Sequence, residues 1–267
     1  MKTSSPPWSM SANGRHYWHS QGLRFDRSFF GAPTTQLYLA EEQRLFQRYL
    51  APLQGKRILK LDLWNEAQNT EVLFWAAAQG ADCCGVDIAE STVRKAQTRG
   101  RNLEHSISVT VGDILSLPFQ SGSFDCVYSM GTIEHLPDPA AAVAELARVL
   151  RRGGLAIVGV PNKIDPFLFP LGSAALQAVG LYPYGYERPY TNGDLRSLLE
   201  AHGLRSLHRD GILFLPWFLR MVDLVLWLKW PPASGVTGLL TQPFRLLCRI
   251  RPLVQRFGYL TVCVAEK

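Results

Sequence analysis

Three acids and one histidine stand where chemistry on a nucleoside would need them. Gly85-Val86-Asp87-Ile88 ends the apolar run ADCCGVDI (81–88). An acid just past a strand end can accept both hydroxyl protons of a ribose diol. The same Asp87 also suits a loop or a helix N-cap. Gly112-Asp113-Ile114 follows the run ISVTVGD (107–113). Asp113 can accept a hydrogen bond from an adenine amino group while Ile114 packs on the ring, or Asp113 can simply form an Asx turn. Beyond SFDCVYSM (123–130) come Gly131, Thr132, Ile133, Glu134 and His135. An imidazole titrates near the pH at which a general base works, so His135, with Glu134 beside it, is the candidate base. The plainer alternative is a histidine that hydrogen-bonds locally and fixes its loop.

These residues need a frame. The pattern predicts a helix over 36–50, a strand over 57–63, a helix over about 68–79 ending at Gly80, a strand over 81–88 and a helix over 90–99. Strands at 107–113 and 123–130 follow, then a helix from Pro139 to Leu150, an Arg151–Gly154 turn and a strand at 155–160. Strands alternating with helices indicate βαβ units around a parallel sheet, in which ligands sit beyond the carboxyl ends of the strands. Residues 161–190, rich in proline, glycine and aromatics, read as a substrate-covering loop. Thr191 is expected to cap a helix running to Ala201, with strands at about 204–213 and 258–267 after it.

The 267 residues suffice for one large α/β domain, and 47% apolar with 19% charged residues excludes a disordered chain. Five cysteines without a CxxC spacing suggest neither a disulfide framework nor a metal site, and a reducing cytoplasmic setting fits them best. Residues 1–34 read as a lid or flexible arm, with no apolar segment of the signal-peptide kind. No GxGxxG, GxxxxGK[ST] or GxSxG occurs, which argues against a dinucleotide dehydrogenase, a P-loop NTPase and an α/β-hydrolase.

The segments GVDIAESTVRKAQ (85–97), GDILSLPFQSGSFDCVYSMGTIEHLPDP (112–139) and ELARVLRRGGLAIVGVPN (145–162) resemble the class I S-adenosylmethionine-dependent methyltransferases, particularly those acting on small molecules. The likeness covers about 57–162, with a weaker match at 184–204. It implies a Rossmann-like, seven-stranded, mostly parallel sheet with helices on both faces and an antiparallel last strand, in one methyltransferase domain over 35–267. By resemblance, Asp87 and Ile88 hold the cofactor ribose, Asp113 and Ile114 the adenine, and Asp62, Ser129 and Met130 border the cofactor beside the transfer site.

The chain departs from the family after its first strand. The usual glycine-rich turn is replaced by Asp62-Leu63-Trp64-Asn65-Glu66-Ala67-Gln68-Asn69-Thr70. Glycine there allows a tight turn and close approach of backbone to ligand. One reading gives Asn65 and Glu66 the methionine ammonium directly, since a carboxylate accepts what an ammonium donates. The rival reading is a non-catalytic, membrane-peripheral scaffold or partner subunit that kept the fold and lost the cofactor.

From Ile212 to Lys267 the chain holds seven basic residues (Arg220, Lys229, Arg245, Arg249, Arg251, Arg256, Lys267) against Asp223 and Glu266, nearly the whole +6 excess. Trp217, Trp227 and Trp230 lie in the same stretch. A helix over 242–256 would put Arg245, Arg249 and Arg256 on one face and leucines on the other, with Pro252 arguing for a kink or two shorter helices. This basic, apolar insertion at 214–257 suits the anionic inner face of a membrane, or else packs internally or against a second copy. Nucleic acid is not expected, because the basic residues alternate with aliphatics. The acceptor is then a hydrophobic or lipid-like small molecule, lined by Tyr184, Tyr186 and Tyr190.

Overall fold

The computed structural model describes residues 12–24, 27–103, 107–179, 182 and 184–267. The first eleven residues of the expected arm, and positions 180, 181 and 183 of the expected covering loop, lie outside the described residues. In chain order the elements are α1 (Ala12–Leu23), α2 (Pro33–Tyr49), β1 (Arg57–Leu61), α3 (Trp64–Gln68), α4 (Val72–Ala78), β2 (Asp82–Asp87), α5 (Glu90–Asn102), β3 (Ser108–Val111) and β4 (Phe124–Met130). Then follow α6 (Pro139–Val149), β5 (Leu150–Pro161), α7 (Phe169–Ala178), α8 (Asn192–Glu200), β6 (Arg205–Ile212), α9 (Trp217–Lys229), α10 (Ser234–Leu247), α11 (Arg251–Phe257) and β7 (Leu260–Glu266).

The sheet order is β3-β2-β1-β4-β5-β7-β6, with β7 antiparallel to both neighbours. The pairs β1–β2, β1–β4, β2–β3 and β4–β5 are parallel, so the chain reverses its direction of travel between β1 and β4. That switch point opens a crevice at the strand tips. Alternation along β1 feeds two cores: Ile58 faces one with Phe46, Tyr128 and Val262, while Leu59 and Leu61 face the other with Leu146, Leu195 and Leu199. Proline and Asp138, whose side chain accepts the Ala141 N–H, start α6. Thr191 caps α8, as the sequence suggested, and with Asp194 it forms a capping box.

Two expectations change. The predicted helix over 68–79 is two short helices, α3 and α4, broken at Asn69–Glu71, where Glu71 takes a left-handed φ of 63°. The expected loop over 161–190 contains α7. The stretch 242–256 forms two helices separated at 248–250, because Pro252 starts α11, one of the two outcomes its position suggested. Arg251 turns inward to pair with Glu41 and Asp210.

Candidate active site

The rebuilt turn after β1 rests on charge. Asp62 adopts φ 71°, a left-handed conformation that Asp tolerates better than most residues. Its carboxylate accepts from Thr132 Oγ1 at 2.7 Å and from the Trp64 N–H at 3.2 Å. Lys60, fully buried on β1, places Nζ 2.8 Å from the Asp62 carbonyl oxygen, 3.2 Å from Asp62 Oδ1 and 3.1 Å from Glu66 Oε2. Burial opposes the Lys60 charge, but the carboxylates of Asp62, Glu66 and Glu42 outweigh it and raise its pKa. Glu66 also accepts the Leu73 N–H at 3.0 Å and has no exposed surface. The helix α3 thus occupies the place of a flexible turn and holds itself there through its own side chains.

Asp87 lies at the tip of β2. Its two carboxylate oxygens accept the Leu63 and Ala89 N–H groups, each at 2.8 Å, which ties the tip of β2 to the turn beside it. Burial pushes its pKa up to about 7 against those two hydrogen bonds. Gly85 allows this close approach, since a Cβ there would collide with the Leu63 side chain.

Past β4, Gly131 has φ 76° and turns the chain into Ile133–His135. His135 Nδ1 lies 2.7 Å from the Tyr186 carbonyl oxygen, to which it donates, so a neutral ring keeps its lone pair on Nε2. Burial lowers the His135 pKa, and the Tyr186 bond only partly opposes this. Glu134 is 2% exposed, its Oε2 has no hydrogen-bond partner, and burial followed by the charge of Glu187 raises its pKa far above the carboxylate range. Glu187, bonded by the Tyr182 hydroxyl, is itself raised by burial to about 7.

These groups surround one cavity of about 380 Å³. At one side it is bordered by Asp62, Asn65, Asp87, Ile88, Ile114 and Met130; at the other, by Glu134, His135 and an aromatic wall that includes Tyr182, Tyr184 and Trp217. Trp18 of α1 lies edge-on to His135 at 5.2 Å, and the His19 carbonyl accepts the Ser91 hydroxyl at 2.8 Å, so α1 lies over the start of α5 and borders the cavity.

Eight of the eleven anticipated side chains therefore converge: Asp62, Asn65, Asp87, Ile88, Ile114, Met130, Glu134 and His135 line the cavity. Glu66 does not, because Lys60 and the Leu73 N–H engage it beneath α3. Asp113 does not line it either; its Oδ1 accepts the Leu115 N–H at 2.9 Å, the turn-forming alternative. Ser129 is fully buried within β4. Of the three expected tyrosines only Tyr184 lines the cavity: Tyr186 contributes its carbonyl to His135, and Tyr190 packs in the core beside Leu195. Sequence reasoning missed Tyr182, Glu187 and Trp217. Their segments carried no periodicity that would aim them at a strand tip, and Trp217 was read only as part of a surface element.

Comparison with known proteins agrees with this frame. The methyltransferase domain family matches residues 67–158. Tocopherol O-methyltransferase, chloroplastic, from Arabidopsis thaliana is 32% identical over 130 residues, 48% of this chain and 37% of its own length. A ubiquinone biosynthesis O-methyltransferase from Xanthomonas oryzae pv. oryzae is 31% identical over 150 residues, 53% of this chain and 61% of its own length. This chain thus spans less than two thirds of both relatives. A solved Thermotoga maritima structure, an S-adenosylmethionine-dependent methyltransferase described as a possible histamine N-methyltransferase, superposes with TM-score 0.63 at 18% identity, over 94% of this chain and 99% of that one. Residues 67–158 thus match a methyltransferase domain, and the fold of the chain is that of the solved methyltransferase.

Proposed function

We propose that this protein transfers the methyl group of S-adenosylmethionine to a hydroxyl of a lipid-like, ring-bearing small molecule at a membrane surface. The observation that carries the reading is the single cavity in which strand-tip acids meet an aromatic chamber. Its donor set suits the cofactor. Ile88 and Ile114 offer apolar contact to a base, Asp87 has lone pairs left for a diol, and Asp62 offers a carboxylate to an ammonium. The bound sulfonium supplies an electrophilic methyl group.

The protein's own part is positioning and proton handling. His135, neutral because of burial and oriented by Tyr186, presents Nε2 to accept the proton of the acceptor hydroxyl. Burial raises the Glu134 pKa well above its usual value, which favours the protonated form and makes it a poorer base than His135. The aromatic wall excludes water and suits a flat acceptor. Helix α1, with Trp18 against His135, acts as the lid, which gives the arm over 1–34 a role beside the domain over 35–267.

The membrane part of the reading rests on the insertion. Along α9, Trp217, Arg220, Leu224 and Trp227 face inward, while Phe218, Val222 and Val225 are exposed at helical spacing. On α10, Val236, Leu239 and Leu240 are exposed, and Trp230 at the joint is 65% exposed. Exposed Lys229, Arg245 and Arg249 flank these apolar residues. Apolar side chains rimmed by cations match an anionic bilayer surface. No described helix is long and apolar enough to cross a membrane.

The test is transfer of label from S-adenosylmethionine to phenols with and without an aliphatic tail. Label is expected on a tailed phenol, with His135→Ala slowing transfer about 10²-fold or more. No transfer to any acceptor, together with no binding of S-adenosylhomocysteine, would favour the scaffold reading, whose support is the glycine-free segment at 64–70.

A further inference from the structure

The glycine-free segment and the insertion are linked by one polar network. Asn69, just past α3, donates from Nδ2 to Asn65 Oδ1 at 2.8 Å, and Asn65 in turn donates to Glu42 at 3.0 Å. Asn69 Oδ1 accepts from Thr35 Oγ1 at 3.1 Å and from the Arg220 guanidinium at 3.0 Å. Arg220 also donates to Thr34 Oγ1 at 3.3 Å and lies 5.3 Å from the centre of the Tyr38 ring. A guanidinium carries five N–H donors, and these two bonds leave it donors to spare.

Among the described residues that line the cavity, Arg220 is the only lysine or arginine; its charged neighbours there include Asp62, Asp87, Glu134 and Glu187. A cation carried on a helix and aimed into an acidic cavity needs a reason. The cofactor's amino-acid group has one anionic end and one cationic end. Asp62 can take the cationic end, and it lines the same cavity as Arg220 and as Tyr38, whose ring lies against the Arg220 guanidinium. A glycine-rich turn would offer backbone N–H groups to a carboxylate. Here that stretch is a helix in which Asn65, Glu66, Ala67 and Gln68 are buried.

We propose that Arg220 binds the carboxylate of the cofactor's amino-acid group, so that the insertion between β6 and β7 completes a subsite that the glycine-free turn does not. This inference rests on the cofactor reading above. It also means that α9, whose outer face is apolar, couples that face to cofactor affinity.

The test is calorimetric titration with S-adenosylhomocysteine and with its decarboxylated analogue, which lacks only the carboxylate. The wild-type protein is expected to prefer the former by about 10- to 100-fold, as for a hydrogen bond to a charged group. Arg220→Met should abolish the preference while leaving affinity for the decarboxylated analogue unchanged, and Arg220→Lys should retain part of it. A wild-type protein without the preference, or an Arg220→Met protein that keeps it, overturns the assignment. If Arg220→Met does not fold, the wild-type comparison and the Arg220→Lys protein still decide. A wild-type protein that binds neither compound rejects the cofactor reading itself, an outcome distinct from binding both equally.

Discussion

Lys60 Nζ and Glu66 Oε2 lie 3.1 Å apart with both side chains fully buried, and this pair explains how a turn without glycine keeps its place. Removing one partner of a buried pair leaves a charge uncompensated, which costs about 3–5 kcal/mol. Lys60→Met is therefore expected to destabilise the protein by about that amount in chemical denaturation, and Lys60→Met with Glu66→Gln by less than the sum of the two single changes. Glu66→Gln should leave affinity for S-adenosylhomocysteine nearly unchanged. A loss as large as that of an Asp87 variant would return Glu66 to the ammonium.

Stability and cofactor binding should respond to pH in opposite directions. Burial raises Asp87, Glu42 and Glu187 to about 7 each. Between the ordinary carboxylate range and pH 7 the folded chain holds protons that the unfolded chain has released, so stability falls as pH rises through that window. His135, with its pKa lowered by burial, works the other way, but mainly below its ordinary value of 6.5. The unliganded protein is thus expected to melt at a higher temperature at pH 6 than at pH 8. Binding of S-adenosylhomocysteine should instead strengthen from pH 6 to pH 8 as Asp87 ionises. Thermal scans and titrations at the two values check both signs.

Much of this frame was legible because strand and helix periods differ and because acids at strand tips are rare enough to notice. Asp87 and the Glu134–His135 pair were picked out that way, and the Thr191 cap through its hydroxyl. The role of Glu66 was not legible: its partner Lys60 sits in the middle of a β-strand, where a lysine gives no sign of pointing inward. Asp113 looked equivalent to Asp87 from its position, yet its side chain closes on the Leu115 N–H. Arg220 and Trp217 were hidden for another reason. Inward and outward faces of α9 are both apolar, so composition could not say which residues line a cavity.

The anchorage of α9 gives a separate test. Asp223, fully buried, accepts the Thr34 N–H at 2.8 Å and the Thr34 hydroxyl at 2.6 Å, and Thr237 Oγ1 bonds it from α10. It supplies from a distant helix the N-terminal acceptor that Ala32 cannot give α2. Asp223→Ala is expected to cost about 1–3 kcal/mol. It should also speed proteolysis within α9 and α10 more than elsewhere, which limited digestion with mass mapping would read. Uniform digestion would show that α9 is held by other contacts.

If the exposed faces of α9 and α10 meet lipid, the protein should co-sediment with anionic vesicles and less with neutral ones. Replacing Val236, Leu239 and Leu240 with glutamate is expected to abolish pelleting while leaving the melting temperature close to that of the wild type, since all three are exposed. Pelleting unaffected by these changes, or by vesicle charge, would contradict a bilayer partner.

The central claim is that the carboxylate at the tip of β2 grips a nucleoside beside a turn built without glycine. Titration of S-adenosylhomocysteine into wild-type and Asp87→Asn protein tests it most directly. The account predicts one-site binding by the wild type and a loss of about 10- to 100-fold in the variant, since a charged acceptor to the ribose diol is removed. No heat and no thermal shift with the wild type, or equal affinity in the variant, would contradict it.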